Sequence, residues 1–415
     1  MAFTGATAGL AAGAQTNDTR MDFALESTYA TPPAGNYQAL RITGETFGRA
    51  QTTARPAEIN SLKEVSQSVV TQVSASGTIS GALSSGTFDD LIAGVMGADW
   101  YAAPPSVTIN SKATPAVTGT VHLKNSYHSG RDIITMPAAA LVNFPAFGVV
   151  HVVDSVNGID VFAAYILNNI SNPGLEFVPG TLPIADATAL SDGATITLAD
   201  IQNGNLDKTF TIRKKLLGQF LLYPGSLITQ AQIQLQQAQF GTVTIDATSA
   251  NETLSLTDIA TAVLPAPSGN VHNSVNNFLG VTINGKSPAG CVTQFTCTLA
   301  RDGSANDYGM GHADACGVRT GQFTASGSIE FYFRTWDEYN AFIAGTQGLI
   351  IVKTVDDSGN GYAFVFTHAA LRNGKVNSPQ TNETVKVSFD IEGNPTSAGG
   401  TFAIFRLSGV AATGS

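Results

Sequence analysis

The chain has 415 residues, a mass of 43.0 kDa, a formal net charge of −10 and a pI near 5.0. Hydrophobic residues make up 43% of the sequence and charged residues only 13%, while glycine occurs 42 times. This composition predicts a β-rich structural protein of two or three domains. It argues against a helical bundle, a coiled coil or a disordered tail.

The charge pattern also restricts the partners. The densest basic run, residues 213–215, is too short for a patch that grips DNA phosphates. No run of apolar residues is long enough for a transmembrane helix, so membrane insertion is not expected. Three cysteines do not make a disulfide framework and suit synthesis in a reducing cytosol. The first residues lack the basic region of a secretory signal, and we interpret residues 1–20 as an N-terminal arm.

An internal repeat organises the sequence. Residues 72–79 read QVSASGTI and residues 322–329 read QFTASGSI, so five of the eight positions are identical. Alternating residue types predict a strand in each copy. Each strand is followed by a short helix pattern, at 87–94 and at 335–345. The repeat predicts two domains of related structure.

Both short helices carry the chemistry of a helix start. Small hydroxyl residues favour the N-cap position, and carboxylates are favourable in the positively polarised first turn. Gly94 and Gly345 are predicted to end the helices. The predicted cap residues are Thr87, Asp89 and Asp90 in the first copy and Thr335, Asp337 and Glu338 in the second.

The remaining patterns predict a hairpin and a last strand in each copy. The hairpin turns are expected at residues 223–225 and 356–361, which are rich in turn-forming residues. A separate β pattern lies between residues 101 and 207, and its insertion point is expected in a solvent-facing loop. The predicted domains are 21–100 with 208–250 as the first repeat, 101–207 as a small inserted β domain, 251–275 as a linker and 276–410 as the second repeat.

Catalytic and metal-binding signals are weak. Cys291, Cys297, His312 and Cys316 offer the right atoms for zinc, but their spacing matches no common zinc finger. We favour two buried thiols on one strand face and one loop thiol. Residues 356–361 lack the ligand pattern of an EF-hand, and helix capping accounts for the paired carboxylates without catalysis. No cofactor is expected.

Four glutamines alternate along one predicted strand. Gln230, Gln232, Gln234 and Gln236 fall on one face, with Ile233 opposite. This neutral polar face suits the wall of a channel, and an ordinary solvent-facing strand is at least as good an interpretation.

Taken in order, these segments resemble a known family. Residues 76–81, followed by 87–93 and Trp100, are similar to the tail tube (major tail) proteins of long-tailed, non-contractile bacteriophages, and so are residues 23–29 with 40–45. The resemblance covers roughly 20–100, 208–250 and 276–395. It implies a mainly β fold of two tandem tail-tube-type β-sandwich/barrel domains, each with one short flanking α-helix, plus the small inserted β domain.

The resemblance also implies a function. The chain would be a structural virion protein, not an enzyme, that polymerises into stacked rings and forms the conduit for genome ejection. Six such domains make a ring, so two copies in one chain imply a pseudo-hexameric ring of three chains. The implied partners are the protein itself, the tail terminator, tape measure and tail-tip proteins, and viral DNA that passes without specific binding. The protein would be made in the host cytoplasm and reside in the virion tail.

In that family a long loop reaches the neighbouring ring. The corresponding segments here are 47–68 and 301–321. The inter-ring contact candidates are Phe47, Arg49, Arg55, Glu58, Lys63, Glu64, Arg301, Asp302, Asp307 and Arg319.

Two other function classes remain open at this point. A receptor- or carbohydrate-binding β-sandwich protein, such as an adhesin or a tail-tip module, would need exposed aromatic residues around a shallow groove, and the sequence has only two tryptophans. An enzyme without a recognisable motif is the third interpretation.

Overall fold

The computed structural model describes residues 14–59, 61, 64–378 and 380–412. Within this part, 27 strands and three α-helices alternate with loops and two short 3-10 turns. No helix in the described ranges is long and apolar enough to cross a bilayer. The predicted mainly β fold is confirmed.

The first part of the chain builds one half of the molecule around a helix. Its elements are β1 (Arg20–Leu25), β2 (Asn36–Ala39), β3 (Gly44–Glu45), β4 (Gly48–Ala54), β5 (Val69–Ala82) and α1 (Asp89–Met96), and, after the insertion, β14 (Phe210–Leu216), β15 (Gln219–Gln236), β16 (Thr242–Ser249), β17 (Thr253–Ser255) and β18 (Ala262–Leu264).

The inserted segment has its own sheet and core. Its elements are β6 (Ser106–Thr108), β7 (Thr120–Asn125), β8 (Arg131–Thr135), α2 (Ala138–Leu141), β9 (Gly148–Asp154), β10 (Ile159–Asn169), β11 (Gly174–Phe177) and β12 (Thr195–Leu198), and β13 (Ile201–Gln202) follows on the return. Seven of these strands form one sheet, and buried residues such as Val152, Tyr165 and Ile196 fill its core.

The second half of the molecule follows without interruption. Its elements are β19 (Phe278–Ile283), β20 (Val292–Asp302), β21 (Ala305–Asp307), β22 (Gly317–Arg319), β23 (Gln322–Tyr332), α3 (Asp337–Ile343), β24 (Gln347–Val355), β25 (Gly361–Asn377), β26 (Lys386–Asn394) and β27 (Phe402–Leu407).

The two halves share one scheme of strand pairing. In the first half the antiparallel chain of pairs runs β1–β14–β15–β16–β5–β4. In the second half it runs β19–β24–β25–β26–β23–β20. In both halves the long strand, β15 or β25, pairs with an outer strand through its first part and with an inner strand through its second part.

The inner parts of both halves join into one sheet. Its order is β4–β5–β16–β15–β20–β23–β26–β25, and β15 meets β20 at the boundary between the halves. A single hydrophobic core lies beneath this sheet and includes Ile79, Ile233, Phe295 and Phe389 from four of its strands. The molecule is therefore layered, with the inner sheet, the shared core and then the outer strands.

The insertion lies on the far side of the second half. Val149 and Phe162 of the insertion sheet are buried against Ile351, Val365 and Phe405 of the outer strands. The insertion is thus separated from the inner sheet by the outer strands and the core.

The predicted hairpin at 223–225 is wrong. The turn is at Leu217 and Gly218, both with positive φ, and β15 continues through Tyr223-Pro224-Gly225. Gly225 has a φ of 65°, and the register against β14 shifts nearby. The Pro-Gly pair therefore makes a bulge that carries β15 from the outer to the inner layer.

The predicted turn at 356–361 is confirmed. It joins β24 to β25, and the Asp356 carboxylate accepts hydrogen bonds from the backbone N–H groups of Ser358 (2.8 Å) and Asn360 (2.9 Å). The segment 251–275, the predicted linker between the repeats, contains β17 and β18, which pair with β15 and β2.

Candidate assembly surfaces

The inner sheet has one polar and one apolar face. The half-exposed positions of β15 include Gln230, Gln232, Gln234 and Gln236, while Ala231, Ile233 and Leu235 between them are buried. The predicted alternation is confirmed. Cross-strand registers extend this polar face over β5, β16, β20, β23 and β26, mostly as neutral side chains: Gln72, Ser74, Ser76, Thr78, Ser80, Thr242, Thr244, Thr248, Gln294, Thr296, Thr298, Gln322, Thr324, Ser326, Ser328 and Ser388.

Several charges on the polar face lie in close pairs. Lys386 Nζ contacts Glu330 Oε1 at 2.8 Å, and Arg372 Nε donates to Glu392 Oε2 at 2.9 Å. The hydrogen bond from Arg372 lowers the pKa of Glu392, and the bond to Glu330 raises the pKa of Lys386. Asp246 accepts from Thr78 Oγ1 at 2.6 Å. With Lys386 and Arg372 paired, the described residues of this face form no cluster of unpaired basic side chains that would hold a polyanion.

The two ends of the inner sheet are open edges. Among the described strands, β4 pairs with β5 on one side only, and residues 371–377 of β25 pair with β26 on one side only. Every residue of β4 is exposed. Unpaired edges of this kind are templates for pairing with another chain.

The helices of the two halves differ in burial. In α1, seven of the eight residues are buried, whereas no residue of α3 is buried. Trp336 and Ile343 at the two ends of α3 are 56% and 69% exposed. Other aromatic residues hold α3 to its own sheet, with the Phe342 and Phe389 ring centroids 6.0 Å apart.

The second half provides part of the cover over α1. Arg301 Nε donates to Val95 O at 2.7 Å, and both Tyr362 and Arg406 donate to the Asp89 carboxylate. The Asp89 side chain is thereby bound to two elements of the other half.

The predicted N-caps are wrong by one position. The N-cap residues are Phe88 and Trp336, and neither makes a side-chain capping bond. Thr87 Oγ1 instead bonds Ser84 Oγ at 2.7 Å, while Thr335 Oγ1 lies 3.5 Å from Glu338 Oε2. The acidic residues Asp89, Asp90, Asp337 and Glu338 do lie in the first turns.

The predicted helix ends hold for one helix only. Gly345 has a φ of 65° and follows Ala344, the C-cap residue of α3, as a terminating glycine should. Gly94 lies inside α1, where a Cβ would come within 2.7 Å of the Phe210 ring, and α1 ends at Gly97 (φ 60°). Gly94 is needed for close packing rather than for termination.

The structure divides the inter-ring contact candidates into three groups. Phe47 and Arg301 are buried, with the Phe47 ring 4.9 Å from that of Tyr223, so these two side chains are corrected to internal roles. Arg49 is on the open edge strand β4 and donates to Glu252 O at 3.3 Å. The others are exposed: Arg55, Glu58 and Glu64 follow β4, Asp302 is the last residue of β20, and Asp307 and Arg319 lie on the paired strands β21 and β22. Lys63 lies outside the described residues.

The cysteines do not share a strand face. A register shift between Val292 and Gln294 separates Cys291, which is exposed, from Cys297, which is buried in the shared core. Burial raises the pKa of the Cys297 thiol. In the described ranges, no three His, Cys, Asp or Glu side chains form a group able to hold a metal ion. The expectation of two buried thiols is therefore corrected to one.

These surfaces are those of a structural protein with two open sheet edges, one mainly uncharged polar face and one shared core. A family model described as phage tail tube protein matches residues 16–393. The chain belongs to the phage tail tube protein family and is a structural tail tube protein of the virion. No curated protein matches the chain. The family match supports the tail tube interpretation over an adhesin or a tail-tip module.

Proposed function

We propose that three copies of this chain close into a ring, and that stacked rings form the tube of a long, non-contractile phage tail. The observation that carries the proposal is the inner sheet, which has eight strands, a free strand at each end and one continuous polar face. Joining the free ends of successive copies removes the edges, as closure does in any barrel. Three copies give a barrel of about 24 strands.

The shared pairing scheme of the two halves supports a tandem duplication. Each half contributes four inner strands in the same order and one short helix between equivalent strands. A chain with two such units then takes the place of two subunits, and a ring of three chains is pseudo-hexameric.

In this arrangement the polar face lines the bore. Its side chains are mainly Gln, Ser and Thr, and Lys386 and Arg372 are each paired with a carboxylate. DNA can slide past such a wall, because tight phosphate contacts need clustered basic side chains. The tube then serves as the conduit for genome ejection, with tail terminator, tape measure and tail-tip proteins at its ends and inside it, and the chain is made in the host cytoplasm.

Electron microscopy of the purified protein tests this proposal. We expect rings with a central hole that stack into tubes. A persistent monomer over the concentration range in which tail proteins assemble would contradict it.

A further inference from the structure

The junction between β15 and β20 joins the two halves inside the chain, and the contact between copies can be compared with it. We propose that the contact between neighbouring copies in the ring repeats the internal β15–β20 junction, strand for strand and in the same register. The occupant of the open β4 edge is then residues 372–377 of β25 from a second copy of this chain. This inference rests on the proposed ring and adds its interface.

The internal junction has a defined register. β15 and β20 run antiparallel, with Gln232 opposite Thr298 and Gln234 opposite Thr296. The Gln232 Nε2 group donates to Thr298 Oγ1 at 3.3 Å on the polar face. The register of the β15–β20 junction is therefore defined within a single chain.

β4 occupies the position of β20 in its own half. In the first half Gly48 is opposite Ser76, and in the second half Thr298 is opposite Ser326. Ser76 and Ser326 are the same position of the repeated motif, at residues 72–79 and 322–329. Gly48 is therefore the counterpart of Thr298.

β25 occupies the position of β15 by the same argument. Gln232 is opposite Thr244, which is opposite Ser80. Lys375 is opposite Ser388, which is opposite Glu330. Residues 80 and 330 are separated by the same 250 positions as the repeated motifs. Lys375 is therefore the counterpart of Gln232.

These two equivalences fix the contact between copies. Lys375 of one copy lies opposite Gly48 of the next, Arg372 opposite Ala50, and Asn377 opposite Thr46. All of these positions belong to the polar face, because their partners within each half do; for Thr46, which lies just before β4, that partner is Thr78. The polar face thus continues across the boundary without a break.

The helices give an independent reason for the same contact. Inside the chain, the half that supplies β20 also covers α1 through Arg301, Tyr362 and Arg406. α3 has the same place in the second half, but none of the residues that the structure describes covers it in this way, and Trp336 and Ile343 are exposed. Repeating the junction brings the first half of the next copy over α3. The contact is head-to-tail, so it closes into a ring when the rotation permits.

Disulfide crosslinking tests the register. In a background with Cys291→Ser and Cys316→Ser, the pair Lys375→Cys with Gly48→Cys should link neighbouring copies under mild oxidation, giving covalent dimers and trimers on a non-reducing gel. Directly opposite strand residues are close enough for a disulfide. A Cβ at Gly48 meets no atom within 4 Å in the single chain, so the substitution leaves the fold intact.

Two control pairs complete the experiment. Gln232→Cys with Thr298→Cys should form the same bond within one chain, seen as loss of free thiol without a change in mass. Lys375→Cys with Thr52→Cys is on the same face but about four residues out of register, roughly 13 Å away, and should not link. Equal linking of the matched and mismatched pairs, or none from the matched pair in rings that do form, overturns the inference while the proposed function stands. If the parent protein forms no rings at all, the proposed function fails and this inference with it.

A fluorescence measurement on unlinked protein gives a second readout. In the variant Trp100→Phe, Trp336 is the sole tryptophan. Its emission should shift to shorter wavelength and its quenching by acrylamide should fall several-fold when rings form. Unchanged quenching on assembly would contradict the burial of α3.

Discussion

At the scale of single residues, the Asp89 carboxylate joins the two halves of the chain. It is 5% exposed and accepts hydrogen bonds from Tyr362 and from Arg406, whose guanidinium lies 4.1 Å from the centre of the Trp100 ring. Asp337 begins α3 at the corresponding place but is exposed. The aspartate at this position is therefore buried and hydrogen-bonded in the first half, but exposed to solvent in the second half.

Replacing Asp89 should cost stability because it breaks a buried charged hydrogen-bond group. We expect Asp89→Asn to lower the free energy of unfolding by roughly 2–3 kcal/mol. The matched variant Asp337→Asn should change it by no more than about 0.5 kcal/mol. Urea unfolding of the unassembled chain measures both, and equal effects would show that Asp89 does not bind the halves together.

Residue-level sequence reasoning succeeded where the chemistry is local. The acidic first turns of α1 and α3 follow from helix polarity alone. Asp356 and the turn around it follow from side-chain bonding to nearby backbone. The sequence predicts a helix end at Gly94, but glycine is needed there because of the Phe210 ring, which is more than 100 residues away in sequence. Long-range packing of this kind leaves no local signal.

At the scale of elements, the continuous strand β15 is the feature that places the inner sheet. It crosses from the outer layer to the inner one at Pro224-Gly225. Gly225 has a φ of 65°, and a Cβ there would lie 3.0 Å from both Ala250 and the Tyr29 ring. Backbone and packing thus both require glycine at the crossing.

The variant Gly225→Ala tests this crossing. We expect it to lower the free energy of unfolding by about 1–2 kcal/mol, since an L-residue is strained at positive φ. Gly35→Ala is the control, because a Cβ at Gly35 meets nothing within 4 Å, and it should be nearly neutral. Thermal unfolding of the two variants side by side measures the difference; a stable Gly225→Ala protein would refute the requirement.

The strands were largely predictable from the sequence, but the crossing of β15 from the outer to the inner layer was not. Alternation predicted the Gln face of β15, and the separate β pattern between residues 101 and 207 predicted a β-structured insertion, which contains strands such as β9 and β12. Pro-Gly is equally suited to a hairpin turn and to a bulge, and only the pairing of β15 with β14, β16 and β20 distinguishes them. The true turn at Leu217-Gly218 carries a weaker signal, because leucine seldom adopts positive φ.

At the scale of the whole molecule, the insertion and the polar face lie on opposite sides. The insertion packs through Val149 and Phe162 on outer strands of the second half, and the core separates it from the inner sheet. If the polar face lines the bore, the insertion decorates the outside of the tube. Its effect on ring closure should therefore be small.

Site-specific labelling of assembled tubes tests this placement. Tyr127 of the insertion is 89% exposed, and Gln232 lies on the polar face. Tyr127→Cys and Gln232→Cys, each with Cys291→Ser and Cys316→Ser, can both be biotinylated by a small maleimide reagent. Only biotin at position 127 should bind streptavidin in intact tubes, while both should bind after disassembly. Streptavidin binding at position 232 in intact tubes would place the polar face outside.

In the proposed tube, three chains close one ring around the polar face. A cryo-EM reconstruction of the tube tests it most directly, since it counts the chains per ring and identifies the side chains at the bore. We expect three chains, with Gln232, Thr298 and their polar neighbours facing the channel. Six chains per ring, or a channel lined by the insertion or by clustered arginine and lysine, would contradict it.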